Sequence, residues 1–319
     1  MSATIAERTP ARRRRRSNRP VWDEEPSSVG KAAKGLFLLL YAAAILIPLW
    51  AVLATSVATE EALLEGGGDM VFLPTEVSFQ AYREILSGGA VTRSLLFSLL
   101  LTAVGTAISL ALTVGAAYGL SRPGSVWHRK FLTLILITML FAPGMYPAYL
   151  VVQDLGLLNE MWALILPVCF SAWNLIVLRT FFMTAIPGEL IDAARIDGAG
   201  EFRTMFKVVL PMSKAILAVI GLFYAVGYWN TYFLAVLYTP GLETKPIQVL
   251  IQQWLLTSGG GPTGQDAAAA AAIASGMENA PAASLKMAAV VCTIIPIVIM
   301  YPFIQKHFTK AVITGAVKG

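Results

Sequence analysis

Six long apolar stretches constrain this 319-residue chain more than any other feature of its sequence. Each is close to or longer than the roughly 20 residues that an α-helix needs to cross the hydrocarbon core of a bilayer. Charged side chains are almost absent from their interiors and make up only 13% of the chain, about half the share in a soluble domain. The sequence therefore predicts an all-α membrane protein with six transmembrane helices. The stretches are residues 35–58, 94–120, 131–153, 161–182, 212–237 and 285–305.

The lysines and arginines between these stretches predict the orientation, because cytoplasmic loops of membrane proteins carry an excess of both. With the N-terminus in the cytoplasm, 20 of the 24 basic residues fall on the cytoplasmic side. We therefore expect both termini in the cytoplasm and residues 35–319 to form the transmembrane domain. The basic residues on the outer side are then Arg83, Arg93, Lys245 and Lys286.

Residues 1–34 hold nine of the basic residues, including the run at 12–16. Such a run also suits nucleic acid or acidic lipid heads. Proline, serine and acidic residues follow at once, which favours a basic, disordered cytoplasmic tail without a nucleic-acid partner. The first apolar stretch is longer than the roughly 7–15 residues of a signal-peptide core, so we expect it to be retained as a helix.

One hydrophilic segment, residues 187–211, is unlike a simple connection between membrane helices. Pro187 suits a helix start, and Glu189 suits the positive N-terminal end of that helix. Gly198 suits the left-handed conformation that ends a helix, so we expect two short helices around it. An ordinary amphipathic helix on the membrane surface remains an equal alternative on these grounds. The second helix is expected to present one apolar face, formed by Phe202, Met205, Phe206 and Val209.

The order of residues in this segment resembles the cytoplasmic signature of binding-protein-dependent ABC importer permeases. That signature reads Glu-Ala-Ala, three residues, Gly, nine residues, Ile, one residue, Leu-Pro. Here Asp192 replaces Glu and Val208 replaces Ile, and both changes keep the chemistry. In that family the signature forms a coupling helix that docks in a groove of a separate ATPase. The resemblance implies that the docking residues are Glu189, Asp192, Ala193, Ala194, Asp197, Gly198, Leu210 and Pro211.

Residues 156–159, 162–167, 179–182 and 315–319 are similar to the carbohydrate-uptake branch of this family, which includes maltose-type second permeases and permeases for polysaccharide-derived oligosaccharides. The likeness runs from about residue 35 to the end and implies the type I ABC importer permease fold in a bacterial plasma membrane. It also implies a sugar substrate and a set of protein partners. These are a second homologous permease, two ATPase subunits that bind ATP and Mg, and an extracellular solute-binding lipoprotein.

Several classes of chemistry have no support in the sequence. A Gly-x-x-x-x-Gly-Lys-Ser/Thr phosphate loop is absent, so we expect another chain to hydrolyse ATP and no catalytic residue here. The two cysteines and two histidines are scattered, so we expect neither a metal nor a bound cofactor. No row of buried carboxylates, lysines or histidines could couple protons, which disfavours a secondary transporter. A permease for amino acids, polyamines or phosphonates stays open as an alternative.

Aromatic and amide side chains in two membrane stretches are candidates for the sugar pathway. Sugars bind to aromatic faces and to amides, which both donate and accept hydrogen bonds. The same side chains commonly hold membrane helices together, so a packing role stays open. Their lack of charge favours an uncharged solute. The candidates are Asn174, Tyr228, Trp229, Asn230 and Tyr232.

Single cysteines test the predicted orientation, in a background that lacks Cys169 and Cys292. Ser78→Cys and Thr263→Cys, in the outer segments, should react with an impermeant thiol reagent in intact cells. Ser125→Cys, on the cytoplasmic side, should react only after the cells are opened. Labelling of Ser125→Cys in intact cells would contradict the orientation.

Overall fold

The computed structural model describes residues 28–66, 70–87, 89–122, 124, 127–141, 143–257 and 281–316, with side chains except at 255–257 and 303–316. Within these ranges the chain is helical, and its one extended pairing is an antiparallel bridge between Ala58 and Val77. Most of the predicted tail, residues 1–27, lies outside the described residues, and the first helix has already begun at Ser28.

The described helices are numbered in chain order. The first group is α1 (Ser28–Ser56), α2 (Glu60–Glu65), α3 (Gln80–Leu86), α4 (Ala90–Ser121), α5 (His128–Leu140) and α6 (Met145–Asp154). The second group is α7 (Trp162–Ile165), α8 (Ala172–Ala185), α9 (Gly188–Ile196), α10 (Glu201–Thr204), α11 (Leu210–Met212), α12 (Lys214–Trp229), α13 (Phe233–Tyr238), α14 (Ile247–Thr257) and α15 (Ala282–Ala316). A 3-10 turn, Leu166–Val168, follows α7, and a π-helical turn, Met205–Val209, joins α10 to α11.

Three single helices are long and apolar enough to cross a membrane: α1, α4 and the part Ala282–Pro302 of α15. The predicted stretches 131–153 and 161–182 coincide with helix pairs that are bent at a short break, and the stretch 212–237 overlaps a third bent pair only from residue 212 to residue 229. The bends are 118° between α5 and α6, 52° between Trp162–Val168 and α8, and 87° between Glu201–Met212 and α12. Hydropathy predicts where apolar chain lies but not these bends, which occur beside Gly144, Pro167 and Pro211. By length and composition the chain has three spans, or six if each bent pair is one span.

The chain divides into two compact units, residues 1–49 and 50–319. The described part of the first unit is a continuous helix with exposed large apolar side chains, from Leu36 to Leu49. The second unit holds the packed interior, in which α4 lies against both α8 and α12, and α12 also lies against α15.

Two tyrosines of α12 hold it to the middle of α4. The hydroxyl of Tyr228 lies 2.7 Å from the hydroxyl of Ser109, and the hydroxyl of Tyr224 lies 2.7 Å from that of Thr113. All four residues are buried. The Tyr224 hydroxyl also accepts a hydrogen bond of 3.0 Å from the backbone N–H of Ser171, at the start of α8. Polar bonds between helices therefore fix α4, α8 and α12 together, as is common inside membranes.

Gly105 makes the close contact between α4 and α12 possible. A β-carbon at this position would lie 2.7–2.8 Å from the ring of Tyr228. The ring cannot move away without breaking its bond to Ser109. At Gly115, further along the same helix, a β-carbon would meet no atom within 4 Å.

Gly105→Ala should therefore destabilise the protein by about 1–3 kcal/mol, the typical cost of overfilling a packed interior. Gly115→Ala is the matched control and should be neutral or slightly stabilising, because alanine favours helix. The measurement is the thermal unfolding midpoint of each purified protein in detergent. Equal midpoints for both variants would contradict the close contact between Gly105 and Tyr228.

Candidate functional site

The first helix of segment 187–211 ends in a glycine-dependent turn, as the sequence predicts. Pro187 has extended backbone angles and precedes α9. After α9, Gly198 has a φ of +73°. The N–H of Gly198 bonds to the carbonyl of Arg195 at 3.0 Å, and the N–H of Ala199 bonds to that of Ala194 at 2.9 Å. This is the Schellman arrangement, which satisfies the last carbonyls of a helix and favours glycine at the left-handed position.

The predicted docking residues lie mostly on the surface of this segment. Ala194 and Leu210 are half-buried, and the others are exposed. Asp192 forms an ion pair of 3.8 Å with Arg195 on the same helix. The exposed residues of the predicted set are Glu189, Asp192, Ala193, Asp197, Gly198 and Pro211.

The prediction of one apolar face on the second helix is wrong. Met205 and Val209 are buried against the interior, with 8% and 1% exposure, whereas Phe202 and Phe206 are 77% and 61% exposed. The π-helical turn explains part of this difference, because each extra residue per turn rotates the positions that follow. The segment therefore anchors itself through Met205 and Val209 and presents two aromatic rings outward.

Glu201, the first residue of α10, connects three parts of the chain. Its carboxylate accepts a hydrogen bond of 2.7 Å from the Tyr118 hydroxyl, which also lies 3.1 Å from the Glu201 carbonyl oxygen. Arg195 of α9 donates to the other carboxylate oxygen at 3.0 Å. Arg122, just after α4, lies 3.6 Å from the carboxylate and also donates to the Tyr118 hydroxyl. One side chain thus links the end of α4, α9 and α10.

The hydrogen bonds and charges of this network shift the pKa values of Glu201 and Arg195. Hydrogen bonds from Tyr118 and then Arg195 hold the pKa of the Glu201 carboxyl below its ordinary value of 4.5. The bond to Glu201 raises the pKa of Arg195. Because folding lowers the pKa of the Glu201 carboxyl, the ionised carboxylate stabilises the fold at pH values above its ordinary pKa. This stabilisation is lost as the pH falls through the lowered pKa. The network is therefore intact at neutral pH.

A sharp junction connects the segment to α12. The N–H of Ser213 bonds to the carbonyls of Val209 and Leu210, both at 3.1 Å, and Ser213 is fully buried. Across this residue the helical path bends by 87°. Val209 and Ser213 are both buried, with 1% and 0% exposure, so the segment meets α12 at a packed junction.

The structure separates the candidate pathway residues into two groups. Asn174 and Tyr228 are buried, and Tyr232 is half-buried at the start of α13. Trp229 and Asn230 line a common cavity of about 560 Å³ between α4, α12 and α15. Asn230 is exposed and donates to the carbonyl of Val226 at 2.9 Å. Trp229 is buried, and its Nε1 has no hydrogen-bond partner among the described residues.

Sequence reasoning missed Glu201, Tyr118 and Arg122 as functional candidates. Tyr118 and Arg122 are four residues apart at the end of α4, but 83 residues separate Tyr118 from Glu201. The available local signal was an acidic residue at the first position of a helix, which suits the helix dipole and needs no partner. Only the fold brings the three side chains together.

Comparisons with known proteins agree on a family. Residues 108–314 match the family described as "Binding-protein-dependent transport system inner membrane component". The polygalacturonan/rhamnogalacturonan transport system permease protein YtcP of Bacillus subtilis (strain 168) is 43% identical over 283 residues, which cover 89% of this chain and 96% of that protein. Protein LplC of the same organism is 37% identical over 286 residues, with 89% and 93% covered.

A solved structure is also similar to most of this chain. It is a crystal structure of a bacterial ABC transporter involved in the import of the acidic polysaccharide alginate. One of its chains matches with a TM-score of 0.78 and 29% sequence identity, covering 90% of this chain and 100% of that one.

The Glu201 network predicts a measurable change in the order of α9 and α10. Glu201→Gln removes the charge that pairs with Arg195 and Arg122, so backbone protection from hydrogen exchange at neutral pH should fall roughly two- to fivefold over residues 188–204. Glu61→Gln, an exposed acidic residue on α2, is the control and should leave that protection unchanged. Unchanged protection in Glu201→Gln would contradict the proposed role of the network.

Proposed function

The chain belongs to the family of binding-protein-dependent transport system inner membrane components, and we propose that it is a transmembrane permease subunit of an ATP-driven ABC importer for oligosaccharides. The observation that carries this proposal is segment 187–211. It combines the family signature with a rigid turn at Gly198 and an outward surface that is free to receive another protein. The similarity to permeases of polysaccharide-derived sugars supports the substrate class.

We propose that the chain crosses the bacterial plasma membrane six times with both termini in the cytoplasm. The three single apolar helices, the bent pairs that contain α5 and α8, and α12 of the third pair would supply six spans, and the distribution of basic residues supports the orientation. In this arrangement residues 1–34 form a cytoplasmic tail and residues 35–319 the permease domain. Segment 187–211 then faces the cytoplasm, where ATP is available.

The docking surface for the ATPase is the outward side of this segment. Small side chains at Ala193 and Ala194 allow close approach of the α9 backbone. Exposed apolar side chains lie beside them, and such side chains are unfavourable on a surface that contacts only water. They provide apolar area for a partner protein and are Leu190, Ile196, Phe202 and Phe206.

The internal contacts of the segment provide a route for coupling. Movement of a docked ATPase would act on α9, and the Glu201 network would pass it to the end of α4 through Tyr118 and Arg122. The junction at Ser213 would pass it to α12. Since α4 and α12 are bonded through their buried tyrosine contacts, both helices would move together. Alternating access needs such a joint shift of spans.

The proposed complex contains a second homologous permease, two ATPase subunits and an extracellular solute-binding lipoprotein. ATP and Mg would be bound by the ATPase subunits, and this chain would carry no catalytic residue. The pathway for the sugar would lie between the two permeases. Among the predicted pathway residues, Asn230 and Trp229 have the best access, because they line the cavity between α4, α12 and α15.

Substitutions at the α9 turn test the docking proposal. Gly198→Val places a β-branched residue at a φ of +73°, which costs roughly 1 kcal/mol or more and should misalign the end of α9. Ala194→Trp should overfill the close contact with the ATPase. Both variants should reach the membrane normally, lose the ATPase subunits during mild purification, and lose substrate-stimulated ATP hydrolysis together with uptake.

Gly200→Val is the matched control for Gly198→Val. Gly200 is two residues away, has extended backbone angles that valine adopts, and leaves open space for a β-carbon. This variant should keep its ATPase and its transport. The docking proposal fails if Gly198→Val and Ala194→Trp both retain bound ATPase and full uptake, or if they disappear from the membrane because they do not fold.

A further inference from the structure

Two of the four basic residues predicted on the outer side meet at one cavity. Arg93 near the start of α4 and Lys245 just before α14 both line a space of about 240 Å³. About 150 residues lie between them in the sequence, so their proximity could not be predicted from it. The polar lining consists of Arg93, Ser94, Glu243, Thr244, Lys245 and Gln253.

The two helices beside this cavity, α4 and α14, are packed into the interior of the protein. The N–H of Ile247 donates a hydrogen bond of 2.9 Å to the hydroxyl of Ser98, which fixes the start of α14 against α4. Leu250 of α14 and Val91 of α4 are buried in the same apolar cluster. The cavity therefore lies between two anchored helices.

The charges at the cavity are not balanced within the described chain. The described ion pairs all involve Glu201 or Asp192 at the other end of the molecule, so Arg93 and Lys245 have no carboxylate partner among the described residues. Glu243 is the one acidic residue of the lining, which leaves an excess positive charge. Ser94, which is only 3% exposed, also lines the cavity, and its hydroxyl can donate or accept a hydrogen bond.

We propose that this outer cavity binds the carboxylate-bearing ring of an acidic sugar, so that the substrates of the importer are oligosaccharides containing uronate units. This inference rests on the proposed function and adds a charge requirement to it. Arg93 and Lys245 would receive the carboxylate through charge-assisted hydrogen bonds. Glu243 would accept hydrogen bonds from ring hydroxyls, and Ser94 and Thr244 could donate or accept.

The mixed lining favours a sugar acid over other anions. Glu243 beside the two cations adds an acceptor for hydroxyl groups, which a ligand without hydroxyls would not use. A uronate presents a carboxylate and several hydroxyl donors on one ring, which match both kinds of lining residue. The small concave space suits one sugar unit, whereas a docked protein needs a broader surface. The uncharged candidates for the sugar pathway, such as Asn174 and Tyr228, favour a neutral solute, whereas this cavity argues for a charged one.

Transport by the complete importer in vesicles tests the inference. Uptake of galacturonate and mannuronate trimers is compared with uptake of their carboxyl-reduced, uncharged counterparts. Arg93→Gln and Lys245→Gln should each raise the KM for the acidic trimers by about tenfold, as expected for loss of a charged hydrogen bond, without changing uptake of uncharged trimers. Arg93→Lys should restore most of the activity. Arg83→Gln, an exposed cation on α3 outside this cavity, should have no effect.

Each other outcome is decisive. Equal losses for acidic and uncharged trimers would show that Arg93 and Lys245 do not select for charge, and they would overturn the inference. No loss in either variant, or transport of only uncharged trimers by the unchanged importer, would also overturn it while leaving the proposed function intact. Absence of ATP-dependent uptake of every oligosaccharide would overturn the proposed function and, with it, this inference.

Discussion

The hydrogen bonds that α4 makes along its length hold the functional parts of this protein in place. At its middle, Ser109 and Thr113 bond to the buried tyrosines of α12. At its end, Tyr118 bonds to Glu201 of segment 187–211. Near its start, Ser98 fixes the beginning of α14 beside the outer cavity. In a membrane, where apolar burial does little to bring helices together, such bonds and close packing decide which helices move as one body.

In the proposed function, this arrangement lets one chain serve both sides of a membrane. A sharp, glycine-dependent turn keeps α9 at the surface, while Met205 and Val209 anchor the following turn in the interior. The segment is therefore exposed enough to receive a partner and fixed enough to transmit its movement. Glu201 contributes to both properties, because its ionised carboxylate joins α9 to α4 at neutral pH. A flexible loop would dock equally well but would absorb the movement.

Much of the fold could be predicted from the sequence, because the bilayer demands long apolar helices and glycine marks the end of α9. Five of the six apolar stretches coincide with observed helices or bent pairs, and the stretch 212–237 overlaps its bent pair only from residue 212 to residue 229. The size of the bends could not be predicted, since they depend on packing around Gly144, Pro167 and Pro211. The π-helical turn could not be predicted from the sequence either, and it accompanies the outward placement of Phe202 and Phe206.

The candidate site was predictable only where its signal was local. The signature in segment 187–211 is contiguous, whereas Tyr118 with Glu201 and Arg93 with Lys245 are brought together by the fold. Tyr228 and Asn230 offered similar polar chemistry in sequence, yet one is buried against Ser109 and the other is exposed at the end of α12. Which side chains of a helix are buried depends on how the helix is rotated about its own axis. The sequence of an almost uniformly apolar helix gives little indication of that rotation.

In the proposed function, this permease moves its solute with energy from a separate ATPase. Oligosaccharide uptake by sealed vesicles that contain the purified complex tests this directly, with ATP supplied on the ATPase side and all ion gradients collapsed. Uptake should require ATP and should stop when the ATPase subunits are omitted. Uptake that needs an ion gradient, or that proceeds with this chain in the absence of ATP, would contradict it.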